Sequence, residues 1–454
     1  MEILYKVLEA INWVAIVLAS LGIVWQLLFT FFGWIKPKKF KKAKTKRRFA
    51  IIFPAHNESA VIEDSIKDLL ENQNYPKDLY DIFVCADNCD DNTFELASKA
   101  GATVIERFEK DPKKKKAAYP IRALMQYVLE NFPDKYDAFI KFDADNRACP
   151  DFLDAMNNAL EEGVEIARAF EASTNATQNT WTSVSATYYI RDSRIASNFR
   201  ERVHMNSMLS GAGMMVSTKV IKDIGGWDAM SGSDDAEFAI NRMLQNYKCH
   251  YVPDAVVYED QPSSLKDTWN RLSRMGHSLH GVFWKKGWKL LFKTFQWKKG
   301  GFTYFDMFYT IFFIPIALMA TLWFPAYYIF YFIINALNAW GPNANFLASC
   351  TNLFNESMTS SWSSNQILSN LLPMIAVVLG SLCFFYTIQT LMAVSLSKKE
   401  LGIKNLKGYW KGILLSSPFM LVYDLSIVWG VLTNPGWKSI KRNVPTTKED
   451  KISN

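Results

Sequence analysis

The stretch RRFAIIFPAHNESAVIEDSIKDLLEN, residues 47–72, decides the fold class of this chain. Phe49–Phe53 is a short apolar run that ends at Pro54, a pattern typical of a buried strand. Apolar residues then recur at helical spacing, and we expect Asn57 or Ser59 to cap this helix. The stretch therefore predicts a strand, a polar turn and an amphipathic helix.

The same succession of elements continues along the chain. A strand over Tyr80–Ala86 precedes a helix over Thr93–Ala100, and a strand, a helix and a strand are predicted over residues 102–106, 117–131 and 137–143. This alternation predicts an α/β domain with a largely parallel sheet and helices on both faces. The sequence has neither GxGxxG after the first strand nor a GxxxxGKS/T motif, which disfavours dinucleotide-binding and P-loop proteins.

Polar residues follow the end of each predicted strand. Because the carboxyl ends of parallel strands meet at one edge of a sheet, we expect these clusters to share a crevice. A buried pair of carboxylates loses hydration and repels itself, so a lysine, a metal ion or water must stabilise it. Mg²⁺ or Mn²⁺ that also holds phosphate oxygens suits such a pair, although the same spacing occurs in solvated turns. The clusters are Asn57-Glu58 after Ala55, Asp87-Asn88, the basic stretch ending at Lys116, and Asp143-Ala144-Asp145.

Two later motifs carry further candidates. In LSGAGMMVS, residues 209–217, small residues allow a substrate to approach the backbone closely. In SGSDDAEF, residues 231–238, Asp234 and Asp235 precede a helix predicted over Ala236–Gln245. These acids either stabilise the helix dipole or supply a general base, in which case Asp235 takes a proton from a sugar hydroxyl. Adjacent acids raise each other's pKa, which helps a base to work near neutral pH.

The segment after residue 260 is basic and aromatic. Arg271 and Arg274 lie on one face of a predicted helix. They form either an exposed cationic face near a membrane or an arginine clamp on a leaving diphosphate. Gly281–Gly301 mixes Trp, Phe and Leu with Lys, which predicts an amphipathic helix on the inner face of a membrane.

Long apolar segments flank the predicted domain. Ile11–Ile35 has no charged residue and is long enough to cross a bilayer as a retained helix. Met307–Ser397 contains one charged residue, Glu356, and includes a second predicted span at Leu371–Val394. We therefore expect a membrane protein.

Charge predicts the topology of these spans. The basic run Lys36–Arg48 follows the first span, so the positive-inside rule places it and the domain in the cytoplasm. At this position anionic headgroups are a better partner than nucleic acid for a chain of net charge +7. The segment 341–370 has no Lys or Arg and is expected outside. The number of spans stays open, since Met307–Trp340 fits one long or two short helices.

The last apolar stretch, Ile413–Val431, contains an acid near its middle, Asp424. Such an acid normally faces a partner or a watery cavity. Asp424 therefore lines a conduit, or the helix lies at the interface with Asp424 in water. The six cysteines fall mostly in cytoplasmic or membrane segments, where disulfides are not expected.

Five motifs in this order resemble those of the membrane-embedded inverting family-2 glycosyltransferases, which include the cellulose, hyaluronan, chitin-like and poly-N-acetylglucosamine synthases. The resemblance covers roughly residues 45–300. FPAHNES matches P-A-x-N-E, ADNCDDNT the acidic nucleotide-binding turn, DADN the D-x-D motif and SDDAEF the T-E-D motif, while RLSRM stands in place of Q-x-x-R-W. Each motif is short, and the specificity lies in their order.

The resemblance implies a GT-A-like, Rossmann-type nucleotide-sugar domain inserted between transmembrane helices, with amphipathic interface helices. It implies a multi-pass protein of the plasma membrane whose catalytic domain is cytoplasmic. The expected segments are an N-terminal transmembrane helix at 1–35, the glycosyltransferase domain at 36–280, interface helices at 281–304, a transmembrane region at 305–433 and a cytoplasmic tail at 434–454 that carries no sensor domain.

The resemblance also implies residue roles. Asp235 aligns with the catalytic base and Asp145 with the metal ligand, the metal being Mg²⁺ or Mn²⁺. The UDP-sugar is expected to contact Ala55, Asn57, Glu58, Asp87, Lys116, Asp143, Arg271 and Arg274, and the acceptor to contact Gly213, Met214, Asp234 and Met275. The chain departs from the family at three of these positions. Arg271 replaces the usual Gln, Met275 replaces the Trp that forms a platform for the acceptor sugar, and Asp234 replaces the Glu of the T-E-D motif, which reads Ser233-Asp234-Asp235 here.

The implied function is a processive inverting transferase that polymerises UDP-glucose or UDP-N-acetylglucosamine and exports the product across the plasma membrane. The implied product is either a β-glucan, which includes β-glucans of mixed linkage, or an aminosugar polymer. Its partners are the UDP-sugar, the growing polysaccharide, the bilayer and accessory export proteins, and not nucleic acid. Two alternatives stay open: a non-processive transferase acting on a lipid-linked acceptor, and a non-catalytic membrane scaffold for export.

Overall fold

One sheet organises the part of the chain that the computed structural model describes, namely residues 2–296, 300–327, 329, 380 and 383–436. Its strands are β1 (Phe49–Ala55), β2 (Tyr80–Asp87), β3 (Thr103–Arg107), β4 (Ala138–Lys141), β5 (Arg147–Ala148), β6 (Ile166–Ser173), β7 (Met214–Ser217) and β8 (His250–Glu259). The helices of the domain are α2 (Ile62–Asn72), α3 (Thr93–Lys99), α4 (Ala118–Asn131), α5 (Phe152–Glu161), α6 (Thr180–Arg191), α7 (Asn198–Arg202), α8 (Thr218–Asp223), α9 (Asp234–Leu244) and α10 (Leu265–Val282). Before it lies α1 (Glu2–Phe32), and after it come α11 (Trp288–Thr294), α12 (Gly301–Leu318), α13 (Cys383–Leu396) and α14 (Trp410–Thr433).

The strand order is β3-β2-β1-β4-β7-β6-β8-β5. The first four strands in this order run parallel, which confirms the expected Rossmann-type α/β sheet. The second half is mixed, because β7 runs antiparallel to both β4 and β6 while β6 and β8 are parallel. The sequence analysis did not predict this half. Lys141 lies at the seam, where β4 pairs with Ile52 of β1 and with Met214 of β7.

Strand β1 is buried on both faces. Phe49, Ile51 and Phe53 pack in a core shared with α2 and α5, whereas Ala50 and Ile52 pack in a second core shared with α4 and α9. A strand covered by helices on both sides reads as a continuous apolar run, because neither face meets water. This explains why FAIIF shows no polar alternation.

The turn after β1 differs from the predicted helix cap. Helix α2 is preceded by Val61, whose apolar side chain cannot accept a hydrogen bond from the first turn. Asn57 instead takes a left-handed backbone conformation with φ of 55°. Its Oδ1 accepts a hydrogen bond of 2.8 Å from the Asp90 amide. The predicted cap is therefore wrong, because Asn57 joins the loop after β2 rather than the helix.

Two described segments, Gly301–Tyr327 and Lys407–Thr433, are long and apolar enough to cross a membrane by length and composition. Helix α1 has 31 residues, and α13 is a shorter apolar helix. The predicted outside segment 341–370 lies outside the described residues, as do the tail from residue 437 and most of the first half of Leu371–Val394.

Helix α1 is joined to the rest of the protein through a buried acid of α12. Asp306 is fully buried and accepts a hydrogen bond of 2.8 Å from the Trp25 indole nitrogen. Its other oxygen accepts a hydrogen bond of 2.7 Å from Arg200 Nε on α7. Removing one partner of a buried ion pair leaves an uncompensated charge, which costs about 3–5 kcal/mol. The three helices are thus fixed to one another at this point.

Helices α10 and α14 cross at two glycines. A Cβ atom on Gly276 would lie 2.8 Å from the Ile427 Cα, and one on Gly430 would lie 1.9 Å from the Ser273 carbonyl oxygen. The backbones approach closely only because both positions lack a side chain. The His277 Nδ1 lies 3.2 Å from the Gly430 carbonyl oxygen at the same crossing.

Candidate active site

The loops that follow β1 and β2 form one wall of a crevice at the carboxyl edge of the sheet. The His56 Nδ1 lies 2.7 Å from the Asp87 carbonyl oxygen. The Glu58 amide donates a hydrogen bond of 2.9 Å to Thr93 Oγ1 at the start of α3. Asn57, Glu58 and Asp87 therefore come together, as the sequence predicted from the strand order. Ala55 is buried at the end of β1, so that only its backbone is available to this wall.

An unpredicted arginine joins this wall to the basic stretch after β3. Arg107 Nη1 lies 2.5 Å from Asp87 Oδ1, and Arg107 Nη2 donates a hydrogen bond of 3.2 Å to the Lys114 carbonyl oxygen. The Glu109 amide donates a hydrogen bond of 2.8 Å to Asn88 Oδ1. Lys116 is exposed just before α4. The signal for Arg107 was its place as the last residue of β3.

The loop after β4 is held from both sides. Asn146 Oδ1 accepts a hydrogen bond of 2.9 Å from the Asp143 amide, which closes a tight turn over the D-x-D motif. Ser65 Oγ of α2 donates a hydrogen bond of 2.5 Å to the Ala144 carbonyl oxygen. Asp145 is 6% exposed, whereas the Asp143 side chain is 39% exposed. The turn therefore presents Asp143 to the crevice.

A buried lysine stands at the end of β4. Lys141 is 4% exposed, and its Nζ donates hydrogen bonds of 2.9 Å to Asp143 Oδ1 and of 3.0 Å to the Gly211 carbonyl oxygen. No motif in the sequence assigns Lys141 a role. Its signal was a charged residue at the last position of an otherwise apolar strand, two residues before Asp143.

The acids of the later motif reach the same lysine. A Cβ atom placed on Gly211 would lie 2.9 Å from Lys141 Nζ, 3.6 Å from Asp143 Oδ2 and 3.7 Å from Asp235 Oδ2. Asp235 is half-buried, and its Oδ1 accepts a hydrogen bond of 2.7 Å from the Ala236 amide. Asp234 is 8% exposed. The end of β4, the glycine-containing segment 209–217 and the start of α9 therefore meet at one point.

The protonation of this cluster reflects burial and shared charge. Burial raises the pKa of Asp234 to about 7, with Lys141 opposing the rise and Asp235 adding to it. Burial also raises the pKa of Asp235, again against Lys141. Burial alone would lower the pKa of Lys141, but the carboxylates of Asp143, Asp234 and Asp235 outweigh it and raise this pKa. The lysine is therefore an ammonium ion, and both acids keep their protons to a higher pH than an ordinary aspartic acid does.

Helix α10 forms the opposite wall. A Cβ atom on Gly232, in the loop before the acid pair, would lie 2.4 Å from Ser278 Oγ. Ser278 lies one turn after Arg274 and two turns after Arg271, so the three residues share a face. Arg274 is half-buried on this face. The structure thus brings the predicted arginine helix against the acid-bearing loop.

Arg271 is bound within the protein. Its Nη2 donates a hydrogen bond of 2.7 Å to Glu259 Oε1, and its Nη1 one of 3.3 Å to Gln261 Oε1. Burial lowers the pKa of Arg271, but Glu259, Tyr189 and Asp145 outweigh this and raise it. The replacement of the family's Gln by Arg therefore comes with an acidic partner on β8.

The predicted acceptor residues divide into two groups. Met214 is 1% exposed and packs in the core, so its side chain does not reach the crevice. Gly213 has a φ of 65°, and a Cβ there would lie 3.1 Å from Ala169, which fits backbone packing. Met275 is half-buried beside the aromatic cluster of α14. Of the four, Asp234 is the side chain that lies in the acid cluster, whereas Met275 packs against α14.

An aromatic pocket adjoins Arg271 between α6, α10 and α14. The Tyr188 and Tyr423 rings stack with centroids 5.2 Å apart, and their hydroxyl oxygens lie 3.1 Å apart. The Arg271 guanidinium lies over the Tyr189 ring at 5.2 Å. The pocket is lined by Ser185, Tyr188, Tyr189, Gln261, Pro262, Thr268, Arg271, Leu272, Phe419 and Tyr423.

The oxygen donors of the crevice fit a hard divalent cation. Among the described residues, no three His, Cys, Asp or Glu side chains cluster as a metal cage. Mg²⁺ needs only one or two carboxylates where phosphate oxygens complete its shell. Asp145 and the neighbouring Asp143 offer such a donor set, because all of their donor atoms are oxygens.

Two family models match the chain. The glycosyl transferase family 2 model matches residues 50–225. The model described as glycosyl transferase family group 2 matches residues 139–343. Together they cover residues 50–343, which contain the described strands from β2 to β8, all of β1 except Phe49, and the acid-bearing motifs.

One curated relative and several solved structures are similar to the chain. The chain is 23% identical over 410 residues to the probable glycosyltransferase YdaM of Bacillus subtilis (strain 168), covering 87% of this chain and 83% of that protein. The structure resembles the mannosyltransferase PcManGT from Pyrobaculum calidifontis in complex with GDP-Man and Mn²⁺, with a TM-score of 0.48, 16% identity and coverage of 76% and 96% of the two chains. It also resembles S. aureus TarS in complex with UDP-GlcNAc, with a TM-score of 0.34, 13% identity and coverage of 51% and 66%.

Proposed function

We propose that this chain, a nucleotide-sugar-dependent glycosyltransferase with a family 2 catalytic domain, is a membrane-embedded processive enzyme that inverts the anomeric centre of a UDP-sugar. The observation that carries the proposal is the position of α10. This helix closes the crevice through Ser278 and is packed by its glycine on an apolar helix long enough to cross a membrane. The crevice and the apolar region are therefore joined by one element.

Asp235 acts as the general base. It removes the proton from the acceptor hydroxyl while that oxygen attacks the anomeric carbon from the side opposite UDP. The bond from the anomeric carbon to the diphosphate oxygen breaks, and its electron pair leaves with UDP. An α-linked donor thus gives a β-glycosidic bond without a covalent enzyme intermediate.

The donor lies along the carboxyl edge of the sheet. The loops of Asn57 and Asp87, already joined by hydrogen bonds, would hold the uridine. Asp143 would hold the ribose and diphosphate, while Arg274 would face the leaving group from α10. Asp145 with Asp143 would bind Mg²⁺ or Mn²⁺, and the bound ion neutralises the negative charge of the diphosphate.

A lipid bilayer is the partner of the apolar helices. On α14, Leu414, Leu421 and Leu432 are 61%, 65% and 62% exposed. On α1, Val14 and Val24 are 59% and 55% exposed. Soluble proteins rarely expose so many large apolar side chains along one helix, whereas a membrane covers such side chains. This supports a membrane location with the catalytic domain on the basic, cytoplasmic side.

The surface after α10 supports the same location. Trp284, Trp288 and Phe292 recur every fourth residue and are 54%, 47% and 70% exposed. Lysines at 285 and 289 are exposed between them. Aromatic and basic residues on one helical segment fit the headgroup region of an anionic leaflet.

The product is a β-linked polysaccharide built from glucose or N-acetylglucosamine and exported through the apolar region. The aromatic side chains beside Arg271 lie along the side of α10 that faces α14, and sugar rings pack their apolar faces on such rings. The pocket that they line lies between the crevice helix α10 and the helix α14. In this proposal the growing chain leaves the crevice along that side.

Purified full-length protein in nanodiscs tests the proposal. UDP-glucose and UDP-N-acetylglucosamine are each supplied with Mg²⁺ or Mn²⁺, UDP release is followed, and the product is sized by gel filtration and digested with β-glycanases. Asp235→Asn is expected to lower kcat by about 10²–10⁴-fold. Asp223→Asn, an exposed acid on α8, is the matched control and should retain activity.

Each outcome separates the alternatives. A high-molecular-weight product made by the wild type and by the Asp223 variant alone supports a processive synthase and identifies the sugar. Short or lipid-linked product with normal UDP release would replace processivity by transfer to a lipid acceptor. Equal rates for the wild type and Asp235→Asn would refute the assignment of the base.

A further inference from the structure

The cluster around Lys141 has one cation and three acids from different segments. Asp143 comes from the loop after β4, and Asp234 and Asp235 come from the start of α9, 91 positions or more along the chain from Asp143. Lys141 Nζ donates directly to Asp143 at 2.9 Å. It also donates to the carbonyl oxygen of Gly211, and a Cβ atom placed on this glycine would lie 3.7 Å from Asp235 Oδ2.

We propose that Lys141 is the positioning residue that holds the donor-binding Asp143 and the acceptor-side acids in one geometry for transfer. This role rests on the proposed function. It does not require Lys141 to contact the reacting atoms. The Lys141 ammonium acts on the donor through Asp143. It acts on the proposed base, Asp235, through the backbone at Gly211. Its charge stabilises acids that would otherwise repel one another when buried.

The location of Lys141 favours this role over a purely structural one. A lysine that serves only the core would extend its amine to solvent, as long charged side chains generally do. Lys141 is instead 4% exposed and ends on a carboxylate that faces the crevice. Its strand is fixed on both sides by β1 and β7, so its position is set by the sheet.

Gly211 provides an independent check of the same geometry. A methyl group there would press on Lys141 Nζ, because the distance from its Cβ would be 2.9 Å. The amine would have to move from its position between Asp143 and the strip. Gly211→Ala therefore perturbs the arrangement while keeping the lysine charge.

The experiment compares Lys141→Met, Lys141→Arg and Gly211→Ala with the wild type, using whichever UDP-sugar the wild type turns over. Lys141→Met is expected to lower kcat by about 10²–10³-fold, the loss typical of one preorganised electrostatic group. Donor KM and UDP affinity by calorimetry should change by less than about tenfold. Lys141→Arg should recover at least about tenfold of kcat, since a cation remains. Lys219→Met, which removes an exposed lysine paired with Glu165, is the control and should match the wild type.

The outcomes decide the role of Lys141. A kcat of Lys141→Met within about threefold of the wild type would overturn it. A loss found wholly in KM and UDP affinity would also overturn it, because Lys141 would then serve the donor alone. Should Lys141→Met fail to fold by thermal melting, Gly211→Ala decides: a normal melting temperature with lowered kcat supports the role, and a normal kcat overturns it. Absence of turnover by the wild type would refute the proposed function itself, and this role with it.

Discussion

Replacing Gly430 by alanine tests whether the position of α10, the helix that forms one wall of the crevice, depends on its contact with α14. The added Cβ would lie 1.9 Å from the Ser273 carbonyl oxygen, which is a backbone atom of α10. Real Cβ atoms do not approach within 3.0 Å of such an atom, so the two helices must separate by more than an ångström. No rotamer change relieves this contact, because both atoms belong to helical backbone.

The magnitude follows from two opposing effects. Overpacking of this kind costs about 1–3 kcal/mol, while replacing a helical glycine by alanine stabilises by up to about 1 kcal/mol. Gly430→Ala should therefore lower the free energy of unfolding, and Gly276→Ala should do the same with its Cβ 2.8 Å from the Ile427 Cα. Gly281 lies on the same helix as Gly276, and nothing lies within 4 Å of its Cβ position. Gly281→Ala should stabilise the protein.

The assay is thermal melting in nanodiscs together with UDP release. We expect lower melting temperatures for the alanine variants at 430 and 276 and a higher one at 281. Because a shift of about 1 Å at a catalytic wall can cost 10²-fold, kcat should fall at 430 and 276 and not at 281. If all three variants have the same melting temperature and the same kcat, this crossing does not fix the position of α10. The inference that α10 connects the crevice with the apolar helix α14 would then be refuted.

Three further predictions concern charge. Burial raises the pKa of Asp234 to about 7 and also raises the pKa of Asp235, so the pair holds a proton at acidic pH; kcat should therefore rise with pH as the pair loses that proton, and a midpoint near the ordinary carboxyl pKa of about 4 would contradict this. Arg271→Gln leaves Glu259 without its guanidinium partner and should destabilise by about 1–3 kcal/mol in melting experiments. The double variant with Glu259→Gln should recover most of this, and no recovery would show that the pair is not the cause. Lys285→Glu with Lys289→Glu should lose about 1 kcal/mol of attraction per lysine to an anionic leaflet. Activity of the wild type, but not of this variant, should then increase when phosphatidylglycerol replaces phosphatidylcholine, and equal responses would refute the contact.

The parallel half of the sheet follows from the sequence because its signals are local. Each strand from β1 to β4 is an apolar run of a few residues, ended by a polar turn and followed by a helix. Buried parallel strands carry this pattern within themselves, so the order of elements predicts the sheet. The convergence of Asn57, Glu58 and Asp87 follows from the same rule, since parallel strands end at one edge.

The mixed half and the role of Lys141 depend on contacts between distant segments. Strand β7 joins β4 through an antiparallel pairing that places Lys141 opposite Met214. No local pattern sets that pairing, because residues 142–213 lie between the two strands. The same pairing buries Met214, which the family resemblance assigns to the acceptor side.

The pair Asp143-x-Asp145 raised the question of which cation stabilises it, and the lysine and the metal ion are not alternatives. Once Asp143, Asp234 and Asp235 have all lost their protons, which for Asp234 requires a pH above about 7, these three carboxylates and the Lys141 ammonium carry a net charge of −2. A site of that charge at the edge of a crevice still attracts a divalent cation, and the magnesium or manganese of the proposed donor complex supplies one. The lysine lets the acids lie close together in the folded chain, while the remaining negative charge draws in the metal-bound donor. On this argument, replacing Lys141 by Met should disorder the acids rather than create a better metal site, since repulsion among them would grow before any donor is bound.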